Sequence, residues 1–527
     1  MPETDVLIIG AGPTGLVLAL WLHRQGINVH IVDQAEAAAK NSRALVVHAR
    51  IVELYQQLGL TDDLLAVGHQ LPATNIWVGG HHRAHIPLQE FGQKLTPYPF
   101  MLTLPQDEHE RLLERRLKAL GVTVERRTRL LNFVDHGSNI TATLLCDTDE
   151  SEMTYNAAYI VGCDGAHSAV RHGIGTKYEG DAYKPFFYIA DIEGDGDSPF
   201  FNGEAHVTLT NESFYLVIPY AQRRHARLVG VTLADDNATY DPDHTLSEHH
   251  PQITFDDILP QVKKALNIKI EKLNWFSTYR SHHRVAEKFR DNRAFIVGDA
   301  AHIHSPVGGQ GMNTGIMDAI NLAWKLATVI KQTEMTEDAK SQLLESYETE
   351  RRAFAMKIVS STDTGFTTFT AKGIFPHILR TWIIPYLAPV VTWFSHTRTE
   401  MFRAGSQLIC TYRGSGLSQA AECTAAVHPG DRLPWAKTQQ DDNFSTLSDI
   451  CWQLHVYGDQ QPGLGEWCLR RNVKLFVFDW DEQHAKAGLK KDVVYLLRPD
   501  HYIAGIFEGD SVESALDDYF SSRGLAC

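Results

Sequence analysis

A glycine-spaced turn between two short apolar runs near the start constrains this chain most. Residues 6–10 (VLIIG) are too short and too uniformly apolar for an amphipathic helix, and they read as a buried strand. Gly10-Ala11-Gly12-Pro13-Thr14-Gly15 follows at once, then a helical run over residues 16–24, Gly26, and a second strand over residues 29–32 that ends in Asp33. In such a βαβ unit Gly10 permits the tight turn, and Gly12 lets backbone amides approach a pyrophosphate. Gly15 lets the helix pack on the strand. A phosphate then rests on the helix N-terminus, where N–H groups lack partners and the helix dipole is positive. Asp33 is placed to accept hydrogen bonds from a ribose diol. Strand, turn, helix, strand and acid agree on dinucleotide binding, but they do not say which dinucleotide.

Two distant segments share this grammar. Residues 159–171 (YIVGCDGAHSAVR) read as a buried strand that breaks at Asp164-Gly165 and enters a helix. Residues 294–302 (AFIVGDAAH) read as a third buried strand ending at Gly298-Asp299, followed by the loop SPVGGQGMN over residues 305–313 and a long helix over residues 314–330. Three such strand ends can converge at the carboxyl edge of one parallel sheet, where ligands bind in this architecture.

With these three motifs the chain resembles the class A flavoprotein monooxygenases, the aromatic hydroxylase superfamily, and most of all their phenol-hydroxylase-like branch. The resemblance runs over about residues 6–352. It implies an α/β fold: a Rossmann-like FAD-binding domain with an inserted antiparallel β-sheet substrate domain, and a thioredoxin-like C-terminal domain. FAD is the implied cofactor, with NADPH (or NADH) as reductant. Asp299 is expected on the FAD ribityl chain and the backbone of the loop containing Pro306, Gly309, Gly311 and Met312 on the isoalloxazine ring. Asp164 is expected to serve FAD and the nicotinamide. Two lesser positions follow the pattern. Arg43, in Ser42-Arg43-Ala44, matches an Arg beside the flavin and is the candidate catalytic residue; Gln106 matches a Gln near the ribityl region. His48 departs from the pattern, since many relatives carry Pro there. The implied chemistry is hydroxylation of a phenolic or polycyclic aromatic by a C4a-hydroperoxyflavin formed from NAD(P)H and O2. Epoxidation, oxidative ring opening and a non-catalytic FAD scaffold are the alternatives.

Domain boundaries follow from pattern changes. Residues 1–174 and 291–410 are assigned to the two parts of the FAD-binding domain and its helical extension, residues 175–290 to the substrate sheet, and residues 425–527 to the C-terminal domain. Within the middle segment short runs alternate apolar and polar residues, as in strands with one buried face. Phe214, Tyr215 and Tyr220 are candidates for lining a substrate cavity, with core packing as the plainer reading; His302 and His304 fall near the flavin loop. A helix is expected over residues 46–58. In the C-terminal part, residues 474–478 and 492–498 read as strands and residues 498–504 as a hairpin.

Composition removes other classes. A net charge of −15 argues against nucleic-acid binding. Seven scattered cysteines have no metal-type spacing, no metal site is expected, and the absence of Cys-x-x-Cys argues against a dithiol redox role. No second Gly-x-Gly-x-x-Gly follows a strand, so the nicotinamide has no separate domain. Residues 381–397 (TWIIPYLAPVVTWFSHT) are apolar but fall short of the roughly 20 residues needed to span a bilayer. They read as buried or interfacial helices, and membrane contact is not expected. With no basic leader before residue 6 a cleaved signal is not expected either, so the expectation is a cytoplasmic enzyme. Its partners are O2, NAD(P)H and a small aromatic substrate; a homodimer is left open.

Overall fold

Ile8 and Ile9 pair in parallel with Val161 and Gly162 on one side and with Ile31 and Val32 on the other. Val161 and Gly162 pair in turn with Phe295 and Ile296. The three apolar runs are therefore neighbouring strands of one sheet: Glu3–Ile9, the end of Ser151–Gly162, and Ala294–Ile296. Leu7, Ile8, Ile160, Val161, Phe295 and Ile296 are fully buried, which is why no polar alternation marks these strands. The computed structural model describes residues 3–39, 44–210, 213–220, 224–232, 253–305, 307–370, 377–419, 426–509 and 511–525.

The fold is mixed α/β with several sheets. Helices Pro13–Arg24 and Gln310–Lys331 lie side by side on the parallel sheet, burying Trp21 and Trp324 completely. A second sheet is built mainly from Tyr178–Gly194, Ala205–Leu209, Phe214–Pro219, His225–Thr232 and Ile270–Ala286. It also takes in Ala73–Val78 and His81–Pro87, two strands that the sequence reading left with the first segment. The expected antiparallel pattern holds except where Ala205–Leu209 runs parallel to Ala73–Val78.

One face of this sheet is closed by helix Phe255–Leu266. The helix starts at a Thr254–Asp257 capping box, ends where Asn267 turns left-handed, and drops Phe255, Ile258, Val262 and Leu266 onto Tyr188, Tyr215 and Val217. Tyr215 is thus a core aromatic and not a cavity wall.

One further expectation changes. Instead of one helix over residues 46–58, Val46–Val47 is a short strand paired with Leu102–Thr103, and the helix starts only at Ala49, after an extended His48. The β-branched pair finds a sheet partner that local periodicity does not reveal. The apolar stretch 381–397 is largely exposed, with Trp382 at 65%, Trp393 at 82% and Phe394 at 63%. Ile384 and Ala388 pack onto Ile76, Ala84 and Leu209 of the second sheet, and Thr381, Pro385 and Thr392 are buried. No described helix is long and apolar enough to cross a membrane.

The C-terminal unit is a four-stranded sheet ordered Lys474–Phe478, Gln453–Tyr457, Val494–Leu497, Ile503–Phe507. Its first two strands are parallel around helix Leu464–Arg471, and the others form the expected hairpin. Buried charges join this unit to the rest. Arg498 donates to both carboxylate oxygens of Glu350, at 2.7 and 2.9 Å, and to Asp500. Lys325, Asn321 and Ser415 donate to the same glutamate, while Trp324 donates to Asp500 and Arg50 to the Asp500 carbonyl. Burial alone would raise the Glu350 pKa, but Arg498 and Lys325 outweigh it and hold the carboxylate ionised.

Such a cluster adds little net stability as a whole, but losing one partner strands a buried charge. Arg498→Met is expected to cost about 3–5 kcal/mol in denaturant unfolding followed by circular dichroism. A loss below roughly 1 kcal/mol would show that the junction does not depend on it.

Candidate functional site

The turns after the three strands leave the parallel sheet at the same edge and touch. Cys163 N donates to Ile9 O at 2.7 Å and Val297 N to Gly162 O at 2.9 Å. Gly10, at φ +102°, lies so close to Cys163 that a Cβ would sit 2.4 Å from its carbonyl oxygen. A Cβ on Gly15 would lie 2.0 Å from Gly10 O, so the helix rests directly on the turn. Thr14 is the contact to the third motif, since its Oγ1 would meet a Cβ on Gly298 or on Gly315 at 2.9 and 2.6 Å. Gly10, Gly12, Pro13, Thr14 and Gly15 are thus brought against Asp164 and the Gly298-Asp299 turn.

The edge is furnished as a ligand cradle. Gly12 is the N-cap of the first helix, Pro13 occupies its first turn, and no side chain caps it. A Cβ on Gly12 would meet nothing within 4 Å. The start of the helix thus opens onto free space, as anion binding at its first-turn N–H groups needs. Helix Gln310–Lys331 also starts uncapped, behind Gly308 and Gly309, both at positive φ. Gly309 lies against Val46, Gly311 faces His304, and Met312 packs on the main core. Asp164 holds Ala169 N at 2.7 Å with Oδ2, while its buried Oδ1 has no partner among the described residues. Burial pushes its pKa up. Asp299 is exposed at the strand end, and its carbonyl accepts from Tyr178 Oη at 3.0 Å.

Two of the expected residues also hold the local backbone. Asp33 braces the glycine turn, with Oδ2 accepting from Ala11 N at 2.6 Å and Oδ1 from Ala35 N at 2.7 Å. Gln106 starts its helix; its amide N–H donates to Ala44 O at 3.2 Å and its side chain to Glu110 at 2.8 Å. Arg43 and Pro306 lie outside the described residues.

Behind the cradle sits a carboxylate that motif reading missed. Asp318, fully buried, accepts from His302 Nε2 at 2.7 Å, Arg351 Nε at 2.5 Å and Gly298 N at 3.2 Å. Burial would raise its pKa, but Arg351 and His302 outweigh burial and keep it low. His302 is therefore a structural ligand of Asp318. His304 Nδ1 contacts Ser305 O, and burial brings its pKa down to about 4, so it is neutral at pH 7. The segment around His48 is held equally tightly. Asn313 donates to Val46 O and Gly309 O, at 2.8 and 2.9 Å, and accepts from His48 N at 2.8 Å. Among the described residues there is no group of three or more potential metal ligands.

The second sheet turns its uncovered face toward this edge. Thr103 donates to Pro219 O and Arg227 to Ala44 O, each at 3.0 Å. Register puts Ile218 opposite Arg227 and Leu216 opposite Val229, while Trp275 and Tyr279 flank Asp191 and Phe187. Leu216, Ile218, Trp275 and Tyr279 are half-buried on that face, whereas their chain neighbours Tyr215, Val217 and Phe276 lie under the covering helix. These four are the better candidates for an apolar cavity wall. Tyr220 closes the same strand beside Arg227, its ring 5.9 Å from the guanidinium.

Residues 3–362 match the family model described as an FAD binding domain. The chain is 31% identical over 532 residues to 6-methylpretetramide 4-monooxygenase of Streptomyces rimosus, covering 95% of this chain and 91% of the relative. It is 33% identical over 364 residues to rifampicin monooxygenase of Rhodococcus hoagii, covering 68% and 70% of the two chains. This chain belongs to the class A FAD-dependent aromatic hydroxylases. Among solved structures, the OxyS anhydrotetracycline hydroxylase from Streptomyces rimosus superposes with a TM-score of 0.76 at 25% identity, over 100% of both chains. The protein is thus an FAD-dependent monooxygenase, with NAD(P)H and O2 as the family's co-substrates. The open Gly12 turn, the two uncapped helix starts and the unpartnered Asp164 oxygen fit a dinucleotide cofactor.

The glycines make a paired prediction. Gly12→Ala has room for its methyl group and should leave apoprotein stability within about 0.5 kcal/mol, while weakening FAD binding about tenfold or more by blocking backbone approach. Gly15→Ala should destabilise the apoprotein by about 1–3 kcal/mol. Thermal melts with and without FAD check both, and equal behaviour of the two variants would contradict the cradle.

Proposed function

We propose that this monooxygenase hydroxylates a planar, polycyclic or phenolic aromatic held between the uncovered face of the second sheet and a flavin at the sheet edge. The observation that carries the reading is the meeting of three turn segments at one edge, beside a half-buried face of Leu216, Ile218, Trp275 and Tyr279. Names of relatives point the same way, as 6-methylpretetramide and anhydrotetracycline are given as substrates for two of them.

In this reading Gly10, Gly12, Pro13, Thr14 and Gly15 hold the FAD pyrophosphate on the first helix, with Asp33 fixing the turn and serving the ribose. Asp164, Gln106 and Asp299 hold the sugar and ribityl hydroxyls. Pro306, Gly309, Gly311 and Met312 cradle the ring from the second uncapped helix start, where the positive dipole end stabilises negative charge on the flavin. Arg43 is assigned by resemblance to the side of the ring. Flavin, once reduced by NAD(P)H, supplies the oxygen-activating chemistry. The protein's own contribution is positional. Backbone amides bind the ring without offering acidic protons, and neutral His304 carries no imidazolium proton at pH 7. The apolar face excludes water and aligns the substrate ring, and such alignment is worth several of the roughly 7–11 kcal/mol available to well-oriented reactants.

We also read the C-terminal unit as thioredoxin-like, on its βαβ start and ββα end. Burial pushes the thiols of Cys451 and Cys468 up, the latter to about 11, which suits a packing role better than a redox one. A cytoplasmic location accords with thiols kept reduced.

The test is to reconstitute the purified protein with FAD and follow NADPH oxidation with anhydrotetracycline and simple phenols, analysing products by mass. A product heavier by one oxygen is expected from a polycyclic phenol. Asp299→Ala should lower flavin content and remove most of the roughly 2.7 kcal/mol that a ligand at 100 times its Kd contributes. Unchanged flavin content in that variant would remove Asp299 from the site.

A further inference from the structure

Asp191 and Arg227 stand opposite each other on neighbouring strands of the second sheet, on the face away from helix Phe255–Leu266. Arg227 is 1% exposed and binds Asp191 in a two-pronged ion pair, Nε to Oδ1 at 2.8 Å and Nη2 to Oδ2 at 2.9 Å. A buried pair of this kind seldom stabilises a sheet more than two packed apolar side chains would, so its presence asks for another reason. The remaining nitrogen supplies one: Nη1 leaves the sheet and donates to Ala44 O at 3.0 Å. That carbonyl also accepts from Gln106 N. Two residues on, Val46 O accepts from Asn313, and Asn313 also holds Gly309 O and His48 N. His48 Nε2 in turn contacts Gly308 O at 3.2 Å. A continuous run of direct contacts thus leads from the uncovered sheet face through residues 44–48 to the glycine turn before the second uncapped helix.

We infer that Asp191 and Arg227 are positioning residues, which set the glycine turn at Gly308-Gly309 relative to the substrate sheet by gripping the Ala44 carbonyl. The inference rests on the proposal that this turn holds the flavin ring. Arginine suits the task because its planar fork satisfies a carboxylate and a third acceptor at once, which lysine does not.

The test uses the full-length protein reconstituted with FAD. Asp191→Leu combined with Arg227→Met removes the pair without stranding either charge, so a cooperatively melting apoprotein is expected. Should that combination not fold, Arg227→Lys keeps the ion pair but gives up the bond to Ala44. In either variant FAD should bind about tenfold more weakly, and anaerobic reduction of the flavin by NADPH should slow by about tenfold. The visible circular dichroism of bound flavin should change as well, a signature that a merely structural pair would leave alone. Folded variants with FAD affinity and reduction rate within about twofold of wild type, and the same dichroism, overturn the inference while leaving the proposed function standing. Wild-type protein that takes up no FAD at all overturns both.

Discussion

Absence of a side chain at Gly15 is the constraint on which the rest depends. With no Cβ there, the first helix can lie directly on the turn at Gly10, and Thr14 can reach Gly298 and Gly315. That contact sets the first helix against the third turn and the long helix behind it. Because the three strands are also adjacent and parallel, their turns have no other place to go than one edge. A cradle of backbone amides and small residues follows from packing, before any ligand is considered.

Around this edge, buried charges act as fixed joints. Asp318 links Gly298 and His302 to Arg351, and Glu350, the residue next to Arg351, links the same helix to Arg498 of the C-terminal unit. Each carboxylate keeps its charge despite burial because cations face it directly. Such joints are directional in a way that apolar packing is not, since moving one partner by an ångström leaves an unpaired group in a low dielectric. Rigidity of this kind suits a site where a cofactor ring must be aligned.

Much of the fold was legible in the chain because burial on both faces produces uninterrupted apolar runs, and tight turns demand glycine. Residues 6–10, 159–162 and 294–297 needed nothing else. The joints were not legible. Asp318, Glu350, Arg227 and Arg351 are charged, and in a sequence charged residues read as surface; only the tertiary fold shows them paired and dry. The same limit hid the strand at Val46–Val47, whose partner is more than fifty residues away. Alternation shows that a strand has two faces, but not which one a helix will cover, so Tyr215 could be read either as core or as cavity wall until Phe255–Leu266 was seen to lie over it.

The most direct measurement is a crystal structure of the FAD-reconstituted enzyme. One FAD per chain is predicted, its pyrophosphate oxygens about 2.7–3.2 Å from first-turn amides of the helix at Pro13 and its ring against the start of the helix at Gln310. A flavin bound elsewhere, or one whose ring avoids the glycine turn at Gly308-Gly309, would contradict the account.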